Sequence, residues 1–203
     1  HTVRVGVDPD FYPLEKFDAE GRYTGIGPDY LRILHKMTGL SFRIAPPSDW
    51  TNTIDMATSH KVDMYIAAAE TQHRSQYMFT PSYIVLPGII VTRQPTKGES
   101  VTRGAATDET EPSIDGLKDL AGKRVAVVNR YSWHDFLEEL HPEITPVPVK
   151  NTLEGLQKVA FGEVDAMIDY QFNITEKINN SGIRNLRAAG SIDAPYGHAF
   201  GIR

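Results

Sequence analysis

The amino-acid sequence predicts an α/β fold built from two similar units. Short apolar runs of strand type alternate with segments whose apolar residues recur at helical spacing. This alternation is typical of parallel sheets covered by helices. The order of strand, helix and strand occurs twice along the 203 residues, so we expect two lobes.

The first unit begins with the apolar run Val3–Val7, which predicts a strand. Residues Tyr30–Met37 carry apolar side chains at helical spacing and predict a helix. A polar turn at Ser59–Lys61 leads into the next predicted strand, which opens at Val62–Asp63. We interpret its aspartate as structural, and Asp29 likewise as a structural or capping residue.

The second unit repeats this order. Residues Val125–Val128 predict a strand, and Trp133–Leu140 predict a helix with Ser132 as its N-cap. A second helix is predicted over Leu153–Phe161. The next strand opens at Val164–Asp165, and its aspartate has the same structural interpretation.

Composition excludes several classes of function. A net charge of −5 without a Lys/Arg cluster argues against a nucleic-acid surface. The chain has no cysteine, so it can form neither a disulfide nor a thiolate metal site. No run approaches the roughly 18 apolar residues of a membrane span. We expect no metal and no cofactor.

One motif points to anion binding. After the small residues Ala67–Ala69, the chain places Thr71 and Arg74 three residues apart, just before a turn at Phe79–Pro81. An arginine there can hold a carboxylate, because its planar guanidinium matches two carboxylate oxygens. The alternative is that Arg74 is an ordinary surface cation on a loop.

The surrounding segment Asp63–Arg93 resembles the strand, Thr-Pro-Glu-Arg turn and Phe-Thr-x-Pro-Tyr strand of the family 3 bacterial solute-binding proteins. It is most similar to the versions built as sensor domains of membrane histidine kinases. The resemblance continues through VGVDPDFYPLEKFDAEGRYTGIGPDYLRIL, where Gly25 and Asp29 match the family pattern, and through LAGKRVAVVNRYSWHDFL and FGEVDAMIDYQ. It covers the chain apart from the segment between about Gln94 and Pro112.

This resemblance implies a two-lobe periplasmic binding protein type II, or Venus-flytrap, fold with two crossings between the lobes. The first lobe would comprise residues 1–93 plus 191–203, and the second lobe residues 113–190. Residues 94–112, rich in Gly, Thr, Pro and charge, would be an inserted or flexible linker. The return crossing is expected near Gly190–Pro195.

The resemblance also implies a binding site in the cleft between the lobes. Phe11 and Trp50 resemble the aromatic pair that sandwiches the apolar part of a ligand, and Arg74 the fork that holds its carboxylate. The alternatives are that both aromatics are core residues and that Asp8 is only a turn former. The first lobe would supply Asp8, Phe11, Trp50, Ala69, Thr71 and Arg74, and the second lobe Arg130, Tyr131 and Ser132.

Two departures from the family pattern affect this site. Arg130 stands where the family commonly has a glycine. Tyr170 stands where amino-acid binders have an acid that neutralises the ligand's ammonium group. The nearest acid, Asp169, is one residue earlier and should face the opposite side of its strand. The anchor for an amine is therefore missing or is supplied by Asp8 or Glu70.

We interpret the chain as a periplasmic ligand-sensing domain of a transmembrane receptor, tethered to a membrane and signalling by lobe closure. Its ligand would be an amino acid or a small carboxylate. The alternatives are a soluble receptor of an ABC amino-acid transporter and a dehydratase on the same fold, with His134 or Asp169 as general acid. Whether it forms a homodimer is left open. The remaining internal histidines are expected on surfaces or turns: His35, His60, His73, His141 and His198.

Overall fold

The computed structural model describes residues 2–45, 47–94 and 114–203 and shows an α/β fold. The first part of the chain forms β1 (Thr2–Gly6), β2 (Asp10–Phe11), β3 (Glu15–Phe17), β4 (Tyr23–Thr24), α1 (Ile26–Thr38), β5 (Ser41–Ala45), α2 (Trp50–Thr58), β6 (Met64–Ala69), β7 (Met78–Phe79) and β8 (Ile84–Arg93). The second part forms β9 (Arg124–Val128), α3 (Ser132–Leu140), β10 (Thr145–Val149), α4 (Thr152–Ala160), β11 (Ala166–Tyr170), α5 (Gln171–Ser181) and β12 (Leu186–Ile202). All but the first residue of the predicted linker 94–112 lies outside the described residues.

The main strands form one continuous sheet in the order β10-β9-β11-β8-β12-β6-β1-β5. Strand β1 runs parallel to β5 and β6 on one side, and β9 runs parallel to β10 and β11 on the other. The long strands β8 and β12 lie antiparallel in the middle. We call β1–β7 with α1 and α2 the first lobe, and β9–β11 with α3–α5 the second lobe. The parallel pairs in both lobes confirm the predicted α/β class.

Strands β8 and β12 join the two lobes. Near its start β8 pairs with Tyr196–His198, and from Gly88 to Thr92 it pairs with β11 of the second lobe. The pairing of β12 shifts register between Ile192 and Tyr196, next to the predicted return crossing. The pairing along β8 favours a first crossing before Gly88, earlier than the linker. The exact limits of the lobes stay predictions.

Side-chain caps fix the start of two helices. The Asp49 carboxylate accepts a hydrogen bond from the backbone N–H of Asn52 at 2.8 Å, where α2 begins. The Asn151 side chain does the same for α4. The predicted N-cap role of Ser132 is wrong, because Ser132 is the first residue of α3 and Tyr131 occupies the cap position. The Ser132 hydroxyl instead lies 2.5 Å from the hydroxyl oxygen of buried Tyr170.

The two aspartates that open the inner strands have the same local role. The Asp63 carboxylate accepts from the backbone N–H of Arg4 at 2.8 Å and from its guanidinium, which holds the pKa of Asp63 below its ordinary value. The Asp165 carboxylate accepts from the backbone N–H of Arg124 at 2.7 Å. Each bond ties a parallel strand to its neighbour, so both residues are structural, as predicted. Asp29 forms an exposed ion pair with Arg32.

One glycine matters where the lobes join. A Cβ atom at Gly88 would lie 2.3 Å from the indole ring of buried Trp133, so only glycine lets α3 pack this closely on β8. Trp133 also contacts Tyr196 of β12, so its ring lies over both connecting strands, and it contacts Tyr170 of β11. In the described ranges, no helix is long and apolar enough to cross a membrane.

Candidate functional site

A small cavity lies where the two lobes meet. Its volume is about 20 Å³, which is room for roughly one water molecule. A second, larger pocket of about 240 Å³ lies beside it, and Asp8, Trp50 and Tyr131 line both. The small cavity is lined by Asp8, Phe11, Trp50, Ala67, Ala68, Ala69, Arg74, Tyr131, Ser132, Tyr170 and His198.

Arg74 is buried in this cavity, with 5% of its surface exposed, and is not a surface cation. Its guanidinium donates one hydrogen bond to the Ala69 carbonyl at 2.7 Å and another to the Arg130 carbonyl at 2.5 Å. It also lies over the Trp50 ring, 5.8 Å from the ring centre. The 3-10 turn at Gln72–Arg74 after β6 aims the side chain back along the end of that strand. The fork of Arg74 thus bridges the two lobes.

The Arg130 carbonyl receives a second donor from the first lobe. The Trp50 indole N–H donates to it at 3.0 Å. Arg130 has a φ of +61°, a left-handed conformation that glycine adopts without strain and other residues rarely adopt. This geometry agrees with the glycine that the family resemblance implies at this position. The Arg130 side chain points elsewhere and pairs with Asp55 of the first lobe at 2.7 Å.

Tyr131 fills the space between the two predicted aromatic walls. Its ring centre lies 5.6 Å from that of Phe11 and 6.2 Å from that of Trp50. Its hydroxyl donates to the Asp8 carboxylate at 2.6 Å. Both residues are buried, so this hydrogen bond joins the lobes in a low-dielectric environment.

Asp8 combines the two interpretations that the sequence allowed. One carboxylate oxygen accepts from the backbone N–H of Asp10, as in a turn former, and the other faces Tyr131 in the cavity. Burial raises the pKa of Asp8 to about 6, although the bond from Tyr131 acts in the opposite direction. The neighbouring Glu15 is buried as well, and its pKa is also raised by burial.

Tyr170 and Asp169 face opposite sides of β11, as predicted. Tyr170 lines the cavity. Asp169 is fully buried away from it and accepts a hydrogen bond from the Thr152 hydroxyl at 2.5 Å. Burial raises the pKa of Asp169 to about 7. Among the described residues, Asp8 is therefore the one acid that lines the cavity.

His198 lines the cavity, so its predicted surface position is wrong. It is 2% exposed on β12, and its ring lies 4.9 Å from Tyr170 and 5.2 Å from Phe11. Its Nδ1 has no hydrogen-bond partner among the described residues. Burial, with a smaller contribution from Arg74, lowers the pKa of His198 to about 3. The signal that could have found it is its place on the returning strand, since β12 pairs His198 with Ala69.

Several sequence-predicted residues do not reach the cavity. The Thr71 hydroxyl donates instead to the Asp135 carboxylate of the second lobe at 2.7 Å. Glu70 is exposed just past the end of β6. His134 is buried outside the cavity, where its Nδ1 accepts from the backbone N–H of Arg130 at 3.2 Å. Nowhere in the described part of the chain do three or more His, Asp or Glu side chains come together in a way that could hold a metal ion.

Sequence comparison identifies the family of this fold. The family model of the bacterial extracellular solute-binding proteins, family 3, matches residues 3–201. The virulence sensor protein BvgS of Bordetella pertussis is 26% identical over 195 residues, which are 96% of this chain and 14% of that protein. The chain thus spans a small part of the curated relative that it matches.

Structural comparison shows the same fold. The crystal structure of the BvgS periplasmic domain has a TM-score of 0.78 and 25% identity over 99% of this chain and 37% of the other. A histidine kinase sensor domain with similarity to periplasmic binding proteins has a TM-score of 0.83 at 21% identity and covers 100% of this chain and 82% of the other. An ancestral arginine-binding protein bound to arginine has a TM-score of 0.78 at 22% identity, with 100% and 84% covered.

Proposed function

Because the chain belongs to the bacterial extracellular solute-binding proteins, family 3, we propose that it is the periplasmic ligand-sensing domain of a transmembrane histidine kinase. It binds an amino acid or another small carboxylate in the cleft between the lobes and signals through the closure of that cleft. Similarity to BvgS and to a histidine kinase sensor domain supports a sensor over a transport receptor. The segment itself is a binding domain and not an enzyme.

The observation that carries this proposal is the position of Arg74. A buried guanidinium in a cleft between two lobes needs acceptors, because an unpaired buried charge is strongly unfavourable. The acceptors around Arg74 are two neutral backbone carbonyls. A carboxylate would form stronger, charge-assisted bonds with the same fork. We therefore propose an anionic group as the part of the ligand that Arg74 holds.

The rest of the cavity supports a ligand with an apolar body. Phe11 and Trp50 form two aromatic walls, and the rings of Tyr170 and His198 line the cavity next to Phe11. If the ligand also carries an amine, Asp8 is the acid in position to meet it, because Glu70 is exposed. Asp8 is already bonded to Tyr131, so a ligand without an amine has less to displace.

A thermal-shift screen tests this function. A ligand that binds the folded protein must raise its melting temperature as ligand concentration rises. Amino acids and small mono- and dicarboxylates are screened against the wild type, with Arg74→Ala as the matched control. We expect at least one carboxylate to stabilise the wild type and not the variant. Stabilisation of neither protein by any carboxylate would contradict the proposal.

The alternative is a soluble receptor of an amino-acid transporter, which similarity to an arginine-binding protein supports. Both functions use the same cleft, so binding data alone do not separate them. Expression of the complete gene product separates the two functions, because a sensor carries a kinase whose autophosphorylation responds to the same carboxylate. A complete product that lacks a kinase would favour the transport receptor.

A further inference from the structure

The second lobe presents a polar acceptor to the ligand-binding fork of the first lobe. The Arg130 carbonyl accepts from both Arg74 and Trp50, which are the cation and one aromatic wall of the proposed site. It takes up the donors that a ligand carboxylate would use. A neutral carbonyl is the weaker acceptor of the two, so a carboxylate can compete with it.

The next residue presents an aromatic group to the aromatic walls of the first lobe. The ring of Tyr131 contacts both Phe11 and Trp50, and its hydroxyl bonds to Asp8. The two adjacent residues together thus offer an acceptor, a ring and a hydrogen-bond donor. These groups meet the fork, the aromatic walls and the acid that the proposed site offers to a ligand.

Further contacts hold this dipeptide in place across the cleft. The exposed guanidinium of Arg130 pairs with Asp55 at 2.7 Å, and the side-chain amide of Asn129 donates to the Thr51 hydroxyl at 3.0 Å. The left-handed backbone of Arg130 aims its carbonyl into the first lobe. A strained conformation of this kind persists only where surrounding contacts determine it.

Tyr131 also decides how much room the cleft offers. Together with Asp8 and Trp50 it lies between the small cavity of about 20 Å³ and the neighbouring pocket of about 240 Å³. Withdrawal of its side chain would join these two spaces. The combined space approaches the lower limit for small-molecule sites, which is about 300 Å³.

From these contacts we infer that Arg130 and Tyr131 form an internal ligand of the first lobe, which an external carboxylate must displace. This inference rests on the proposed function, and it names what regulates the site. Without an external ligand the cleft is closed by its own chain, and closure around an external carboxylate requires this internal ligand to leave first, which lowers the apparent affinity for any external ligand. Neutral ligands are disfavoured, because they gain no charge-assisted bond in exchange for the Arg130 carbonyl.

The first test measures the distance between the lobes. The chain has no cysteine, so Met37→Cys and Phe161→Cys, both at exposed positions outside the cavity, can carry one spin label on each lobe. We expect Tyr131→Ala to shift the distances to longer values and Tyr131→Phe, which keeps the ring and loses only the bond to Asp8, to shift them less. Identical distances in the wild type and a folded Tyr131→Ala variant would overturn the inference.

The second test measures competition, with benzoate as the probe and benzyl alcohol as its uncharged counterpart. We expect Tyr131→Ala to bind benzoate about tenfold more tightly than the wild type. This factor corresponds to a wild-type first lobe that holds its internal ligand about nine-tenths of the time. Benzyl alcohol should bind both proteins more weakly but gain by the same factor, because a freed first lobe raises the apparent affinity of any ligand equally. A gain without longer spin-label distances would mean that Tyr131→Ala only creates a hole, and would overturn the inference. Equal affinities of the two probes for the wild type would overturn the competition between a carboxylate and the Arg130 carbonyl.

A third measurement needs no variant. The chain has two tryptophans, so the indole N–H resonances of Trp50 and Trp133 can be followed separately during a benzoate titration of the wild type. Displacement of the Arg130 carbonyl should shift the Trp50 resonance and leave that of Trp133 in place. Benzoate that binds without moving the Trp50 resonance would overturn the inference. If no carboxylate binds any variant, the spin-label distances still test the internal ligand, and the proposed function alone fails.

Discussion

The hydroxyl oxygen of Tyr131 in the second lobe lies 2.6 Å from a carboxylate oxygen of Asp8 in the first lobe, and both side chains are buried. The bond exists only while the lobes are together. In an open cleft Asp8 would meet water, and its carboxyl group would return to an ordinary pKa of about 3.9. Lobe closure is therefore linked to the protonation of Asp8.

The first prediction is that the closed form becomes more favourable as pH falls. The pKa of Asp8 is raised to about 6 by burial, so between about pH 4 and 6 the closed form binds more protons than the open form. This contribution is fully present below about pH 4 and is lost as pH rises through 6. The radius of gyration from small-angle scattering should therefore be larger at pH 7.5 than at pH 4.5.

Asp8→Asn is the matched control for this effect, since it keeps the size of the side chain and removes its titration. The pKa of Glu15 is raised in the same direction. Its partners Tyr23 and Asp8 lie within the first lobe, so this shift is common to the open and the closed form. Lys177 of the second lobe pairs with Asp10 and also faces this region. If the pH dependence persists unchanged in Asp8→Asn, it arises from these other groups and not from Asp8.

The second prediction concerns His198. Its pKa is lowered from an ordinary value of about 6.5 to about 3, so its contribution to stability is present above pH 6.5 and is lost as pH falls toward 3. By pH 4.5 this loss amounts to about 2 to 3 kcal/mol. His198→Leu should therefore lose less stability than the wild type between pH 7 and 4.5. Urea unfolding at both pH values measures this, with exposed His35→Leu as the control. Equal losses of stability in the wild type and in His198→Leu would contradict the lowered pKa of His198.

The third prediction concerns Gly88. A Cβ atom there would lie 2.3 Å from Trp133, so Gly88→Ala should destabilise the fold by about 1 to 3 kcal/mol through overpacking. Gly116→Ala is the control, because a Cβ atom at Gly116 meets nothing within 4 Å and its backbone is extended. Denaturant midpoints give the comparison. Equal midpoints for the two variants would show that the packing of Trp133 on Gly88 adjusts without loss of stability, and would contradict the prediction.

The fourth prediction concerns the amine of an amino acid. Tyr170 lines the cavity at the position where the family resemblance implies an acid in amino-acid binders, and Asp8 is already bonded to Tyr131. Because a buried ammonium without a partner is unfavourable by several kcal/mol, phenylalanine should gain little over 3-phenylpropanoate. Calorimetry of this pair on the wild type and on Tyr170→Asp is the test. A wild-type preference of about a hundredfold for phenylalanine, roughly 2.7 kcal/mol, would mean that Asp8 holds the amine.

The sequence predicts the positions of strands and helices, because they follow from the local spacing of apolar residues. Asp63 and Asp165 are structural, as their positions at the opening of a strand after a polar turn predict. The opposite orientations of Asp169 and Tyr170 followed from strand geometry alone. Arg74 was placed in the cleft by its motif and by the family resemblance.

The errors arose where tertiary contacts decide. Ser132 has a hydroxyl that suits an N-cap, but this hydroxyl forms a hydrogen bond with the buried hydroxyl of Tyr170 instead. His198 carries no local signal of burial, because its neighbours in the cavity, Phe11 and Tyr170, are distant in the sequence. The contact between Thr71 and Asp135 also depends on how the lobes meet, which no local pattern encodes.

The central claim is that Arg74 holds a carboxylate in the cleft, and calorimetry of the strongest carboxylate from the thermal-shift screen tests it most directly. Arg74→Ala should weaken binding by about 2 to 5 kcal/mol, because the desolvated anion loses its partner. Arg74→Lys should fail to restore it, since an ammonium cannot offer the planar fork. Unchanged affinity in both variants would contradict the account and remove Arg74 from the binding site.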